Sequence, residues 1–311
     1  MIMNYIRIIR WPNLLIMSAL MSCLRYFFIL PQFEQAGILS GSTVTLFALL
    51  ILSVLSIAAG GYVINDMSDE DIDVINHPEL MIIGKGISHL SAKKYYLGLT
   101  LIGIIIGFYL AYTASNVYFG MIFPVMAILL YYYSKRYKRQ LITGNIVVSF
   151  ASAMVLLVTW NFELFMLDAE NSQLSYNLGI TTYISTVVYA YSLFAFISSM
   201  IREIVKDMED IAGDEAAFCA TIPILFGVSV SKKIVGILVV VLMFMVVYWQ
   251  YWLWMEGFRF AAVFLIATQL LGIAALFKLI SSTYHTDFHW LSGLFKALMI
   301  SGIASLVLLI F

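Results

Sequence analysis

Tyr62-Val63-Ile64-Asn65-Asp66-Met67-Ser68-Asp69-Glu70-Asp71-Ile72-Asp73 joins the end of a long apolar run to a cluster in which five of the nine residues from 65 to 73 are acidic. The run before it, residues 44–64, has the roughly 20 mostly apolar residues that a bilayer-spanning helix needs. Working outward, eight further segments meet the same criterion: 11–31, 94–114, 117–133, 145–161, 179–200, 233–254, 260–279 and 292–311. The sequence therefore predicts an all-α, polytopic membrane protein with nine transmembrane helices, forming one domain over residues 1–311. The five residues Tyr112–Asn116 leave room only for a tight turn, so the third and fourth spans are antiparallel neighbours.

Composition excludes the alternatives. Of 311 residues, 62% are hydrophobic and 11% charged, and the mean hydropathy is +0.96. Soluble domains carry about 25% charged residues, so a water-soluble fold of this length would lack residues for its surface. A net charge of −1 argues against nucleic acid as a partner, and two cysteines, Cys23 and Cys219, exclude a disulfide scaffold. The run after Arg10-Trp11-Pro12-Asn13 has no small-residue cleavage site, and reads as a first span rather than a cleaved leader.

Charge sets the expected orientation. With the N-terminus in the cytoplasm, 15 of the 17 Lys and Arg residues fall on cytoplasmic segments, Arg25 and Arg259 being the exceptions. The stretch 161–178 then lies outside, an acidic loop containing Glu163. From the second span onward the expected span interiors contain no ionisable residue, unlike those of ion-coupled transporters. A divalent-cation transporter with acidic vestibules is the reading this disfavours. The expected location is an inner or plasma membrane, with surrounding lipid as a partner and no obligate protein partner.

The acidic cluster has a counterpart. Residues 202–214, Arg202-Glu203-Ile204-Val205-Lys206-Asp207-Met208-Glu209-Asp210-Ile211-Ala212-Gly213-Asp214, follow the sixth span as 65–73 follow the second. Both contain aspartates spaced D-x-x-D-x-x-x-D: Asp66, Asp69, Asp73 and Asp207, Asp210, Asp214. On continuous helices these positions share one face, giving two carboxylate ladders at the membrane surface and pointing to an internal duplication. Ordinary acidic loops have no reason to repeat a spacing. Like charges three and four residues apart repel, and anions at helix C-termini oppose the helix dipole. Mg²⁺, which takes carboxylate and phosphate oxygens, would offset both costs. Asn65 adds an amide oxygen to the metal set, and facing ladders with two or more Mg²⁺ (Mn²⁺ substituting) would hold a diphosphate.

These motifs resemble those of the UbiA-type superfamily of intramembrane prenyltransferases along essentially the whole chain. The first motif reads N-D-x-x-D-x-x-x-D; Tyr133-Ser134-Lys135-Arg136-Tyr137-Lys138 and Gly144-Asn145 resemble the superfamily's motif after the fourth span, and Arg10-Trp11-Pro12-Asn13 its opening. Residues 202–210 and Thr221-Ile222-Pro223 are most similar to the geranylgeranylglyceryl-phosphate geranylgeranyltransferases. The resemblance implies nine helices around a central cavity with a cytoplasmic-side active site, and Mg²⁺-dependent transfer of a polyprenyl group from its diphosphate to a lipophilic acceptor. An aromatic quinone precursor such as 4-hydroxybenzoate is the alternative acceptor.

It further implies catalytic and metal-holding roles for the six aspartates, and places Asn13, Lys85, Tyr133, Lys138, Asn145, Arg202 and Lys206 at the substrates. Asn76-His77-Pro78-Glu79 is normally followed by Arg-Pro in this superfamily. Here Leu80-Met81 follows, so either Lys85 replaces the missing arginine or the loop closes differently. Aromatic residues such as Tyr131, Tyr132 and Tyr133 would wall an allylic cation away from water, although tyrosines also anchor at headgroup level. Trp249, Trp252 and Trp254 read as an outer aromatic belt. His285 and His289 have a zinc-compatible spacing, but no glutamate stands between them.

Overall fold

The computed structural model describes residues 2–76, 78–79, 81–171 and 178–310, with the backbone alone at 168–171. A short helix α1 (Ile2–Ile8) precedes α2 (Trp11–Leu24), which continues through a π-turn at Arg25–Ile29 into α3 (Leu30–Gln35). Then follow α4 (Val44–Ser68), α5 (Glu70–Asn76), α6 (His89–Thr113), α7 (Val117–Lys135) and α8 (Thr143–Asn171). The second half comprises α9 (Leu178–Glu209), α10 (Ile211–Ala216), α11 (Ile222–Met255), α12 (Arg259–Ser281) and α13 (His285–Val307). Among the described residues nine helical stretches are long and apolar enough to cross a membrane, as the sequence predicts.

Local chemistry sets the helix starts. Thr43 Oγ1 accepts from the Leu46 N–H and Asn116 Oδ1 from the Phe119 N–H, each at 3.2 Å, satisfying donors that a helix N-terminus leaves unpaired. Two large apolar cores form, beside a small one around Ile8, Val63, Ile83, Ile87 and Ala92. One joins α4, α6 and α7 to α8; the other joins α9, α11, α12 and α13 to α8 and the Arg25–Gln35 stretch. The central cavity lies between them.

Three expectations require correction. The first span does not stop at residue 31, because the π-turn carries it on to Gln35. The segment does not begin as a loop at 161: α8 continues to Asn171, and Glu163 lies within the span, fully buried. Finally, neither ladder lies on one continuous helix. Both break at the middle aspartate, Asp69 (φ −102°, ψ 5°) and Asp210 (φ −94°, ψ 9°). The break relieves the conflict between the carboxylates and the helix dipole. Glu70, Asp71 and Asp73 now occupy the first turn of α5, and Asp214 that of α10, where anions are favoured by about 0.3–1 kcal/mol each.

Candidate active site

The first ladder is held by cations and amides from three elements. Lys138, on the turn after α7, donates to Asp69 Oδ2 at 2.5 Å, and Asn65 Nδ2 donates to the same oxygen at 2.6 Å. Arg10 donates to Asp66 Oδ1 at 2.8 Å while its guanidinium stacks 5.1 Å from the Tyr62 ring centroid. Arg10 adopts a left-handed φ of 51°, rare for a side-chain-bearing residue, immediately before Trp11 opens α2. Asn13 Nδ2 reaches the Tyr62 hydroxyl at 3.3 Å.

The second ladder faces the first. Asn145 Nδ2 donates to Asp207 Oδ2 at 2.8 Å. Asn76, at the end of α5, clamps the second break: its Nδ2 donates to the Asp210 carbonyl at 3.0 Å, and its Oδ1 accepts from the Gly213 N–H at 2.8 Å. A Cβ at Gly213 would lie 2.5 Å from Asn76 Nδ2, so the α5–α10 joint depends on a glycine there. Burial would lower the Lys138 pKa, but Asp69 overrides it and holds the ammonium firmly charged. Burial pushes Asp214 up to about 6 against the pull of Lys138, and raises Asp73, with Asp69 adding to the rise.

Above the ladders a cavity of about 470 Å³ opens into the bundle. Every span except α6 contributes to its wall. Arg10, Asn65, Tyr133, Arg202 and Lys206 line the polar end. Leu242, Val246, Trp249, Leu265 and Leu306 line the apolar end.

The donor set fits a hard cation. Asn65 spends its Nδ2 on Asp69, and its buried Oδ1 has no partner, an orphaned acceptor of the kind that buried polar groups rarely leave. Among the described residues no three His, Cys, Asp or Glu side chains stand close enough to enclose a metal alone. Mg²⁺ needs only one or two protein carboxylates when waters and substrate phosphate oxygens complete its octahedron.

Several expected residues lie elsewhere. Lys85 does not line the cavity: it is exposed and donates to the Pro78 carbonyl at 2.9 Å, because Ile83 and Ile87 are buried and turn the intervening tip outward. Leu80 lies outside the described residues. Trp249 is not part of an outer belt. It is buried in the cavity wall, stacked 4.6 Å from Trp252 and edge-on to Tyr191, because that face of α11 packs on α9. His289 pairs with Glu209 at 2.7 Å.

Four features were not read from the sequence: the Arg10–Asp66 pair, the Asn76 clamp, the place of Lys296 in the cavity wall, and the buried Arg25–Glu163 pair. For Arg10 the signal was present in the R-W-P-N opening. For Arg25 it was a lone charge inside an apolar span, which by default calls for a partner.

The UbiA prenyltransferase family pattern matches residues 33–297. The chain belongs to that family. Digeranylgeranylglyceryl phosphate synthase of Saccharolobus solfataricus is 34% identical over 242 residues, 77% of this chain and 74% of the relative. The synonymous protein of Methanothermobacter thermautotrophicus is 33% identical over 187 residues, 60% of this chain and 58% of the relative. The matched segment thus spans somewhat over half of that relative's length. A solved structure described as digeranylgeranylglyceryl phosphate synthase in membranes shares the fold over 99% of this chain and 98% of its own, with a TM-score of 0.65 at 24% identity. A UbiA homologue from Archaeoglobus fulgidus bound to GPP and Mg²⁺ covers 97% of this chain and 99% of its own, with a TM-score of 0.57 at 16% identity. The UbiA family fold accordingly extends over nearly the full chain.

Proposed function

We propose that this UbiA family member is a prenyltransferase that moves a geranylgeranyl group from its diphosphate to the free hydroxyl of geranylgeranylglyceryl phosphate, an ether-lipid precursor. The reading places the N-terminus and both ladders on the cytoplasmic side of an inner or plasma membrane. The carrying observation is a cavity whose polar end is lined by Asn65 beside the first ladder and by Arg202, Glu203 and Lys206 beside the second, and whose opposite end is walled by Leu, Val and Trp. That division matches a charged diphosphate on an apolar isoprenoid tail. The named relatives support the choice of acceptor.

The C1–O bond of the donor breaks with its electron pair leaving on diphosphate, the acceptor oxygen bonds to C1, and the hydroxyl proton passes to a ladder carboxylate. Asn65, Asp66, Asp69, Asp73, Asp207, Asp210 and Asp214 would hold two or more Mg²⁺ (or Mn²⁺), which neutralise charge developing on the diphosphate. Lys138 and Lys206 contribute fixed positive charge at the same end. Asn145 and Asn65 orient Asp207 and Asp69, and Asn13 orients Tyr62 at the mouth. Tyr133 in the wall excludes water from the allylic carbon.

The test is product formation in proteoliposomes from labelled geranylgeranyl diphosphate with geranylgeranylglyceryl phosphate or 4-hydroxybenzoate. The expected result is Mg²⁺-dependent labelling of the glyceryl phosphate alone. Labelling of the aromatic acid alone assigns the other acceptor. Full-rate transfer in excess EDTA contradicts the metal-held diphosphate.

A further inference from the structure

The cavity wall contains more positive charge than its carboxylates neutralise. On the first-ladder side each cation is matched: Arg10 with Asp66 at 2.8 Å and Lys138 with Asp69 at 2.5 Å. Across the cavity, on α9 and α13, the matching fails. Arg202 bonds Glu203 through Nη1 at 2.8 Å, but its Nε is buried without a partner. Lys296 lines the same cavity and makes no hydrogen bond or ion pair among the described residues.

The charges acting most strongly on Lys296 are Arg202, Lys206 and Arg10, all repulsive. The one opposing charge among those acting most strongly on it is Glu209, which is tied to His289. No ladder aspartate is among the main charges acting on it. Lys206 differs, since it acts on Asp73, Asp207 and Asp214 and so belongs to the donor end. Lys296 stands 11 residues into α13, roughly 16 Å along the helix, where an unpaired charge is costly and by default functional. An anion seated between Arg202 and Lys296 removes that cost.

We propose that Arg202 and Lys296 form a clamp for the phosphate of the acceptor, separate from the metal-held diphosphate, which makes the acceptor a phosphomonoester lipid. The clamp rests on the prenyl-transfer reading above and deepens it. Its charge suits a dianion, and the cavity that both residues line lets the acceptor's chain run into the apolar end beside the donor's tail.

The test is steady-state kinetics in detergent for wild type, Lys296→Ala and Lys296→Arg, with geranylgeranylglyceryl phosphate and its dephosphorylated alcohol as acceptors. Variants are first matched by circular dichroism and gel filtration. Losing a charge-assisted hydrogen bond to phosphate predicts a rise of about 10- to 150-fold in the acceptor KM for Lys296→Ala. The KM for prenyl diphosphate should stay within about twofold, and Lys296→Arg should recover most of the loss. The alcohol should be a poor acceptor that the substitution does not worsen. An unchanged acceptor KM, an equal loss on both acceptors, or a rise confined to the prenyl diphosphate KM overturns the clamp. A folded wild type that consumes prenyl diphosphate with no acceptor at all contradicts the prenyl-transfer reading instead.

Discussion

Arg25 Nε donates to Glu163 Oε1 at 2.7 Å, with the two side chains 2% and 0% exposed. Arg25 also donates to Ser42, lies over the Phe47 ring and bonds the Tyr26 hydroxyl, while Ser40 and Ser42 donate to Glu163. The network ties the first span, α8 and the start of α4 together at the end of the bundle away from the ladders. The π-turn that begins at Arg25 extends the helix by one residue locally and aims the guanidinium inward.

Breaking this pair leaves an uncompensated buried charge, which costs about 3–5 kcal/mol. Glu163→Ala and Arg25→Ala should each lower the melting temperature in detergent by roughly 5–15 °C. The double variant Arg25→Met/Glu163→Leu should recover much of that loss, because neither charge remains. A Glu163→Ala protein as stable as wild type would show that the pair contributes nothing.

Lys85 is bonded to a backbone carbonyl on an exposed turn. Lys85→Ala should therefore leave the KM for prenyl diphosphate within about twofold, since a surface lysine near an anionic leaflet contributes only about 1 kcal/mol of attraction to that leaflet. A tenfold rise in detergent micelles would return Lys85 to the site.

Gly213 supports the joint between α5 and α10. Gly213→Ala forces its Cβ against Asn76, and overpacking of this kind costs about 1–3 kcal/mol. Because the joint positions Asp210 and Asp214, turnover should fall with the stability. Gly98→Ala, with nothing within 4 Å of its Cβ, is the control and should stay at wild-type activity. Equal activity in the two variants would show that the joint does not position the ladder.

The legible and illegible features divide along physical lines. Nine apolar runs of bilayer length can mean little else, and the repeated D-x-x-D-x-x-x-D spacing stands out because carboxylate ladders are costly. The break at Asp69 and Asp210 was not legible, because i, i+3, i+7 spacing describes a straight helix equally well; only the dipole conflict favours restarting the helix. Glu163 was misread because a polar stretch at the end of an apolar run looks like a loop until its partner, 138 residues away, is found. Trp249 has the composition of a belt residue, and only the packing of α11 on α9 turns it inward. Lys296 resembled one more positive-inside lysine, since nothing in the sequence reveals that α13 turns it into the cavity that Arg202 also lines.

The central claim is that both ladders serve one metal-held diphosphate. Its most direct test is equilibrium binding of a non-reactive thiolodiphosphate analogue of geranylgeranyl diphosphate, with and without Mg²⁺, to wild type, Asp69→Ala, Asp214→Ala and the double variant. Each single substitution should abolish the Mg²⁺-dependent part of binding, and the double variant should be no worse than either, because residues sharing one site are not additive. Retention of Mg²⁺-dependent binding in either single variant would mean that one ladder suffices, and would contradict the shared site.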